Sequence, residues 1–200
     1  MKGQKRNSRM KSAGGKRKRS RKVAFVAHCL VNQNAKVAEF ARLPGVVSPV
    51  IDLLKSNGYV IEQLPCPELL FNGVTRWWTT KDIYDNPGYR RHCRSLAKFT
   101  ADVIEKYQRD RYEVILIGLD GSPSSGVRFT GTSEPIWGGR PEARIDEYKI
   151  VPGRGIWIEE LAKELDERGI PFPKASGVPM DSPDFDMDKS VAELASFLSG

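Results

Sequence analysis

Two of the chain's three cysteines stand where an apolar run gives way to polar, turn-forming residues. Cys29 closes Val23–Cys29 (VAFVAHC) and leads into Leu30–Lys36; Cys66 closes Tyr59–Cys66 (YVIEQLPC) and leads into Pro67–Gly73. A third stretch of the same form, Val114–Gly126 (VILIGLDGSPSSG), carries Ser124 and Ser125 where the other two carry sulfur. Thiolates are soft ligands suited to iron–sulfur, zinc or copper(I). A free cysteine is also a common buried residue, so the alternative is no metal at all. Cys29 and Cys66 are too far apart in sequence for a local zinc knuckle. His28 is expected on the strand face opposite Cys29 and His92 on a helix, which disfavours zinc.

Elements must bring these residues together. Val23–Cys29, Tyr59–Leu64 and Val114–Leu119 read as strands, and the last, apolar on both faces, suits a central parallel strand. Ends of adjacent parallel strands lie about 5 Å apart per strand step, so residues distant in sequence can meet there. Val46–Asn57 reads as a helix with an apolar face of Val46, Val47, Val50, Ile51, Leu53 and Leu54, ended by Asn57-Gly58. Tyr89–Asp110 is the clearest helix, with Cys93, Leu96, Ala97, Val103, Ile104 and Tyr107 at helical spacing. Gly155–Arg168 and Ser190–Leu198 are further helices, with a short strand expected at Ile170–Ser176. The stretch from Cys66 to Pro87 reads as irregular, and Gly126–Pro152 as a functional loop or lid. Strands alternating with helices predict an α/β, Rossmann-like, doubly wound, mostly parallel sheet in a single domain. The turn after the first strand holds no glycine, which disfavours a dinucleotide fold of the usual fingerprint.

The formal charge of +7 over 200 residues is unevenly placed. Residues 1–22 hold 11 Lys and Arg and no acid, leaving 21 basic and 25 acidic residues in the remainder. This tail is too poor in apolar residues to order itself, so a disordered basic tail over 1–22 precedes a domain over 23–200. Its bland role is solubilisation; its sharper one is RNA contact through phosphate charge, without aromatics to stack on bases. No apolar segment is long enough to span a bilayer, so no membrane partner is expected. Three cysteines without an export signal point to a reducing, cytoplasmic compartment.

The segments AHCLVNQNAK (27–36), LPCPELLFNG (64–73), YRRHCRSL (89–96), DGSPSSGV (120–127) and GRGIWIEEL (153–161) together resemble the 2-thiouracil desulfidase (TudS) family, in its TudS-related branch. The resemblance implies a Rossmann-like domain holding a [4Fe–4S] cluster by three cysteines, one at each of the first three strand ends. A small thiolated, thiouracil-like heterocycle would give its sulfur to the open iron. Cys29 and Cys66 occupy the first two ligand positions; the third is Ser125. Glu68 matches a proton-transferring acid, and Ser122 a serine of the substrate site with Ser124 beside it. Asn34 and Lys36 match a polar and a basic position after the first cysteine, where the resemblance implies substrate-binding residues that fix a carbonyl or ring nitrogen and balance anionic charge. Serine is a hard oxygen donor that ionises far less readily than cysteine. Cys93 could replace it, though its spacing places it in the core. The alternative is a non-catalytic domain of the same fold that has lost the cluster and binds small molecules, RNA-associated through the tail.

Two mixed clusters suit a planar heterocycle: Arg76-Trp77-Trp78, and Arg128 with Trp137 and Arg140. Arg76 is assigned to the substrate on this ground. Trp78 is weighed instead as an anchor pinning its loop to the body.

Overall fold

The computed structural model describes residues 21–37, 40–133 and 148–200. Most of the basic tail, with Trp137 and Arg140, lies outside them. Lys22, assigned to the tail from sequence, is instead the first residue of a strand. Four parallel strands form the main sheet: β1 (Lys22–Val26), β2 (Tyr59–Gln63), β3 (Glu113–Leu119) and, fourth in that sheet, a strand at Lys174–Val178. Between the last two in sequence lie β4 (Phe129–Thr132) and β5 (Lys149–Pro152), so the fourth sheet strand is β6. The order is β2-β1-β3-β6. Val26 pairs with both Gln63 and Ile117, so the first three strands end nearly level.

Alternation along the strands builds two cores. Val23 and Phe25 of β1, with Val114 and Leu116 of β3, pack against α5 (Pro87–Arg109) and α6 (Ile156–Glu167). Ala24 and Val26, with Ile115 and Ile117, face the other way, toward α2 (Ser48–Ser56) and α7 (Met187–Ser199). Successive strand residues point to opposite faces, so a strand apolar at every position demands helices on both sides. The doubly wound α/β fold is what results. Cys93 lies fully buried among Tyr89, Ala97 and Trp157 in the first core.

Four expectations are corrected. The first strand stops at Val26, and His28–Val31 forms a helical turn, α1. His28 and Cys29 are therefore not on opposite faces of a strand; both line the same cleft. The stretch after Cys66 contains α3 (Pro67–Asn72) and α4 (Lys81–Tyr84). Gly126–Pro152 is not wholly loop, because β4 and β5 pair antiparallel from Phe129↔Pro152 to Thr132↔Lys149. The last sheet strand begins at Lys174 rather than Ile170. Pro171 and Pro173 have no N–H to offer a ladder, and Ile170 and Phe172 pack on the first core instead. Among the described residues, no helix is long and apolar enough to cross a membrane.

Candidate functional site

Each strand end builds its part of the site by a local device. After β1, the buried Gln33 side chain donates to the Cys29 carbonyl at 2.5 Å and accepts from the Arg42 amide at 3.3 Å. This fixes the path of the chain from Cys29 to Lys36. After β2, Cys66 precedes α3, and its sulfur accepts from the Leu69 amide at 3.4 Å. Pro67 starts the helix and Glu68 sits in its first turn, where an acid suits the unpaired amides. After β3, the buried Asp120 accepts from the amides of Val127 (3.0 Å) and Arg128 (2.9 Å) and from Arg128 Nε (2.8 Å). The loop 120–128 is closed by that carboxylate.

Within the loop, Ser122 Oγ accepts from the amides of Ser124 (3.3 Å) and Ser125 (3.1 Å) and from Ser125 Oγ (3.1 Å). Two hydroxyls then reach across to the second strand end: Ser124 Oγ donates to Glu68 Oε1 at 2.6 Å and Ser122 Oγ at 3.4 Å. Arg76 Nε stands 3.8 Å from Glu68 Oε2 and has no hydrogen-bond partner among the described residues. The rest of that guanidinium donates to the carbonyls of Gly73 and Ala35.

One cleft, partly open to solvent, gathers Cys29, Lys36, Cys66, Glu68, Arg76, Ser122, Ser124 and Ser125. Asn34 is exposed and outside the lining; its amide donates to the Asn32 side chain. Arg128 is taken up by Asp120 and the Gly177 carbonyl. Trp78 is buried against Val37, as an anchor would be, yet its ring also borders the cleft. Trp77 is 68% exposed. Residues that sequence reasoning missed are His28, Phe40, Tyr148 and Asp181. Asp181 follows the end of β6, so the strand-end rule would have found it had that strand been placed at 174–178.

Burial removes water from the Glu68 carboxyl and pushes its pKa above the usual carboxylate range. The Ser124 hydroxyl and Arg76 oppose this, and Asp181 adds to it. Burial likewise raises the Cys29 thiol, against the pull of Lys36. Cys66 is pushed up to about 11 by burial and then by Glu68. A metal ion would have to displace both thiol protons. At the third corner, the Ser125 hydroxyl is already donated to Ser122. Among the described residues, no group of three or more His, Cys, Asp or Glu side chains is arranged to hold a metal ion. Two soft donors and one hard, engaged donor fall short of a three-thiolate cluster site.

A parallel sheet whose four strand ends bring thiols, hydroxyls and carboxylates to one cleft defines an α/β protein with an acid–base pocket at its carboxyl edge, where open sheets of this kind hold ligands. The chain belongs to the family described as "Putative 2-thiouracil desulfurase", whose model matches residues 16–150. It is 31% identical over 161 residues to "Uncharacterized protein MJ0003" of Methanocaldococcus jannaschii, covering 78% of this chain and 88% of that protein. No solved structure matches it.

Proposed function

We propose that this chain binds a small thiolated pyrimidine in the cleft and replaces its thiocarbonyl sulfur with oxygen from water, using Glu68 to carry protons. The family name supplies the substrate class. The observation that carries the reading is the placement of Glu68: mostly withdrawn from solvent, shifted toward its protonated form, and hydrogen-bonded to two hydroxyls at the end of β3. A carboxyl whose hold on its proton is strengthened by burial can give that proton and, once ionised, take one back in the same cycle.

Water oxygen bonds to the thiocarbonyl carbon and the C=S electron pair moves to sulfur, which takes the Glu68 proton. The carboxylate receives a proton from the added water. The carboxyl, protonated again, gives that proton to the departing S–H group as the C–S bond breaks and hydrogen sulfide leaves. Its carboxylate then takes the remaining hydroxyl proton as C=O forms, so water is consumed and the carboxyl is restored. Ser122 and Ser124 hold the carboxyl in place; Arg76 Nε–H offers a donor to negative charge collecting on sulfur. No step is assigned to an iron–sulfur cluster, because the third thiolate is missing.

The test incubates the purified full chain with 2-thiouracil, with and without anaerobic iron and sulfide loading, and measures uracil and sulfide released. The proposal expects stoichiometric uracil and sulfide, lost in Glu68→Gln. Iron content of this chain and of Ser125→Cys is measured alongside. A stable cluster and turnover confined to Ser125→Cys would favour the second reading, a binding domain of desulfidase ancestry. The oxygen of Ser125 is the observation behind that reading; it expects tight binding of 2-thiouracil without turnover.

A further inference from the structure

Asp181 and Lys36 form an ion pair inside the cleft, their side chains 9% and 6% exposed. Burying such a pair carries a desolvation cost that mutual attraction only partly repays. Neither end is free to move away. The amide of Lys36 donates to the Gln33 carbonyl at 3.0 Å, and its ammonium lies over the Phe40 ring. Asp181 packs directly on the third strand end: a Cβ added at Gly121, whose φ is +94°, would stand 2.8 Å from Asp181 Cβ. The pair is therefore held from both sides, between the ends of β1 and β6.

The pair is also half spent. Lys36 bonds Oδ1 of Asp181; Oδ2 has no hydrogen-bond partner among the described residues. An ammonium carries three donors, and one of those of Lys36 is used by Asp181. One unused acceptor thus sits beside unused donors on a single wall. Both residues border the cleft together with Tyr148 and Trp78. A wall of this kind complements an adjacent N–H and C=O on one edge of a flat ring.

We propose that Asp181 and Lys36 read the lactam edge of the heterocycle, with Asp181 Oδ2 accepting the ring N–H and the Lys36 ammonium donating to the neighbouring carbonyl oxygen. This rests on the thiopyrimidine reading and adds to it the substrate feature selected. Asp181 lies beyond the segment matched by the family model. The ligands taken are thio-lactams with a free N–H beside the carbonyl. Rings alkylated at that nitrogen, or bearing an unprotonated nitrogen there, are refused, because a buried acceptor would be left unpaired.

The test measures equilibrium binding of 2-thiouracil, its N3-methyl derivative and 2-thiocytosine to the full chain and to Asp181→Asn. For the wild type, N3-methylation is expected to weaken binding about 100-fold or more. Asp181→Asn, checked for an unchanged melting temperature, is expected to narrow that gap below about tenfold. It should also gain relative affinity for 2-thiocytosine, since an amide NH₂ can donate to the bare ring nitrogen. Wild-type binding of 2-thiouracil and its N3-methyl derivative within threefold overturns the assignment while leaving the pocket reading intact. A wild-type ratio preserved in Asp181→Asn does the same. No wild-type binding of any of the three removes the pocket reading itself, and the assignment with it.

Discussion

Asp120 and Glu68 are carboxylates just past strand ends, the first buried and the second half-buried, and their hydrogen-bond donors differ in kind. Asp120, 1% exposed, accepts from three backbone amides, those of Val127, Arg128 and Phe129, and from an arginine that also bonds the Gly177 carbonyl of β6. Its donors are fixed by the chain and cannot trade protons. Glu68 has hydroxyls for donors and a guanidinium nitrogen 3.8 Å away. Hydroxyls can turn and both give and accept. On the proposed function, a carboxylate's donors, more than its depth, separate a structural brace from a proton carrier.

Breaking the brace is expected to have the largest effect. Asp120→Ala should orphan buried amides of the loop and cost about 3 kcal/mol of stability, read from urea unfolding, with the site lost as well. Glu68→Gln should leave stability within about 1 kcal/mol, yet lower 2-thiouracil turnover about 100-fold or more. If Glu68→Gln were as destabilising as Asp120→Ala, the distinction would collapse.

The pH dependence sharpens it. Glu68 binds its proton more tightly folded than unfolded. Its contribution to stability is therefore fully present below the ordinary carboxylate value and is lost as pH rises through the raised folded value. The stability of the wild type relative to Glu68→Gln should fall across that window in urea titrations; a flat difference would mean that burial does not raise this carboxyl. The smallest effect is expected from Ser124→Ala. Loss of its hydroxyl removes a bond that favours the charged form of Glu68, so the pH–rate profile should shift to higher pH. Stability should change by about 1 kcal/mol.

Much of this site was legible because apolar runs mark strands and the residues just past them share an edge. That reasoning brought Cys29, Cys66 and the serines of 122–125 to one cleft. It failed where the chain left the pattern. β1 stops before His28 and turns helical, so strand alternation misplaced that ring. Asn34 follows the first cysteine as the resemblance asks, but the short helical turn around it leaves it exposed. Two prolines displaced β6 from its expected position, and Asp181 was missed with it. The pairing of β4 with β5 is long-range, and the four-residue runs FTGT and KIVP are too short to show a periodicity that would announce it.

The bond between the Leu69 amide and the Cys66 sulfur gives the protein a built-in indicator. An amide proton resting on sulfur senses whether that sulfur is thiol, thiolate, metal-bound or oxidised. The Leu69 resonance in a nitrogen–proton correlation spectrum of isotope-labelled protein would follow Cys66 residue-specifically, without a chromophore. Any metal or oxidant brought to the cleft could then be titrated by watching one peak.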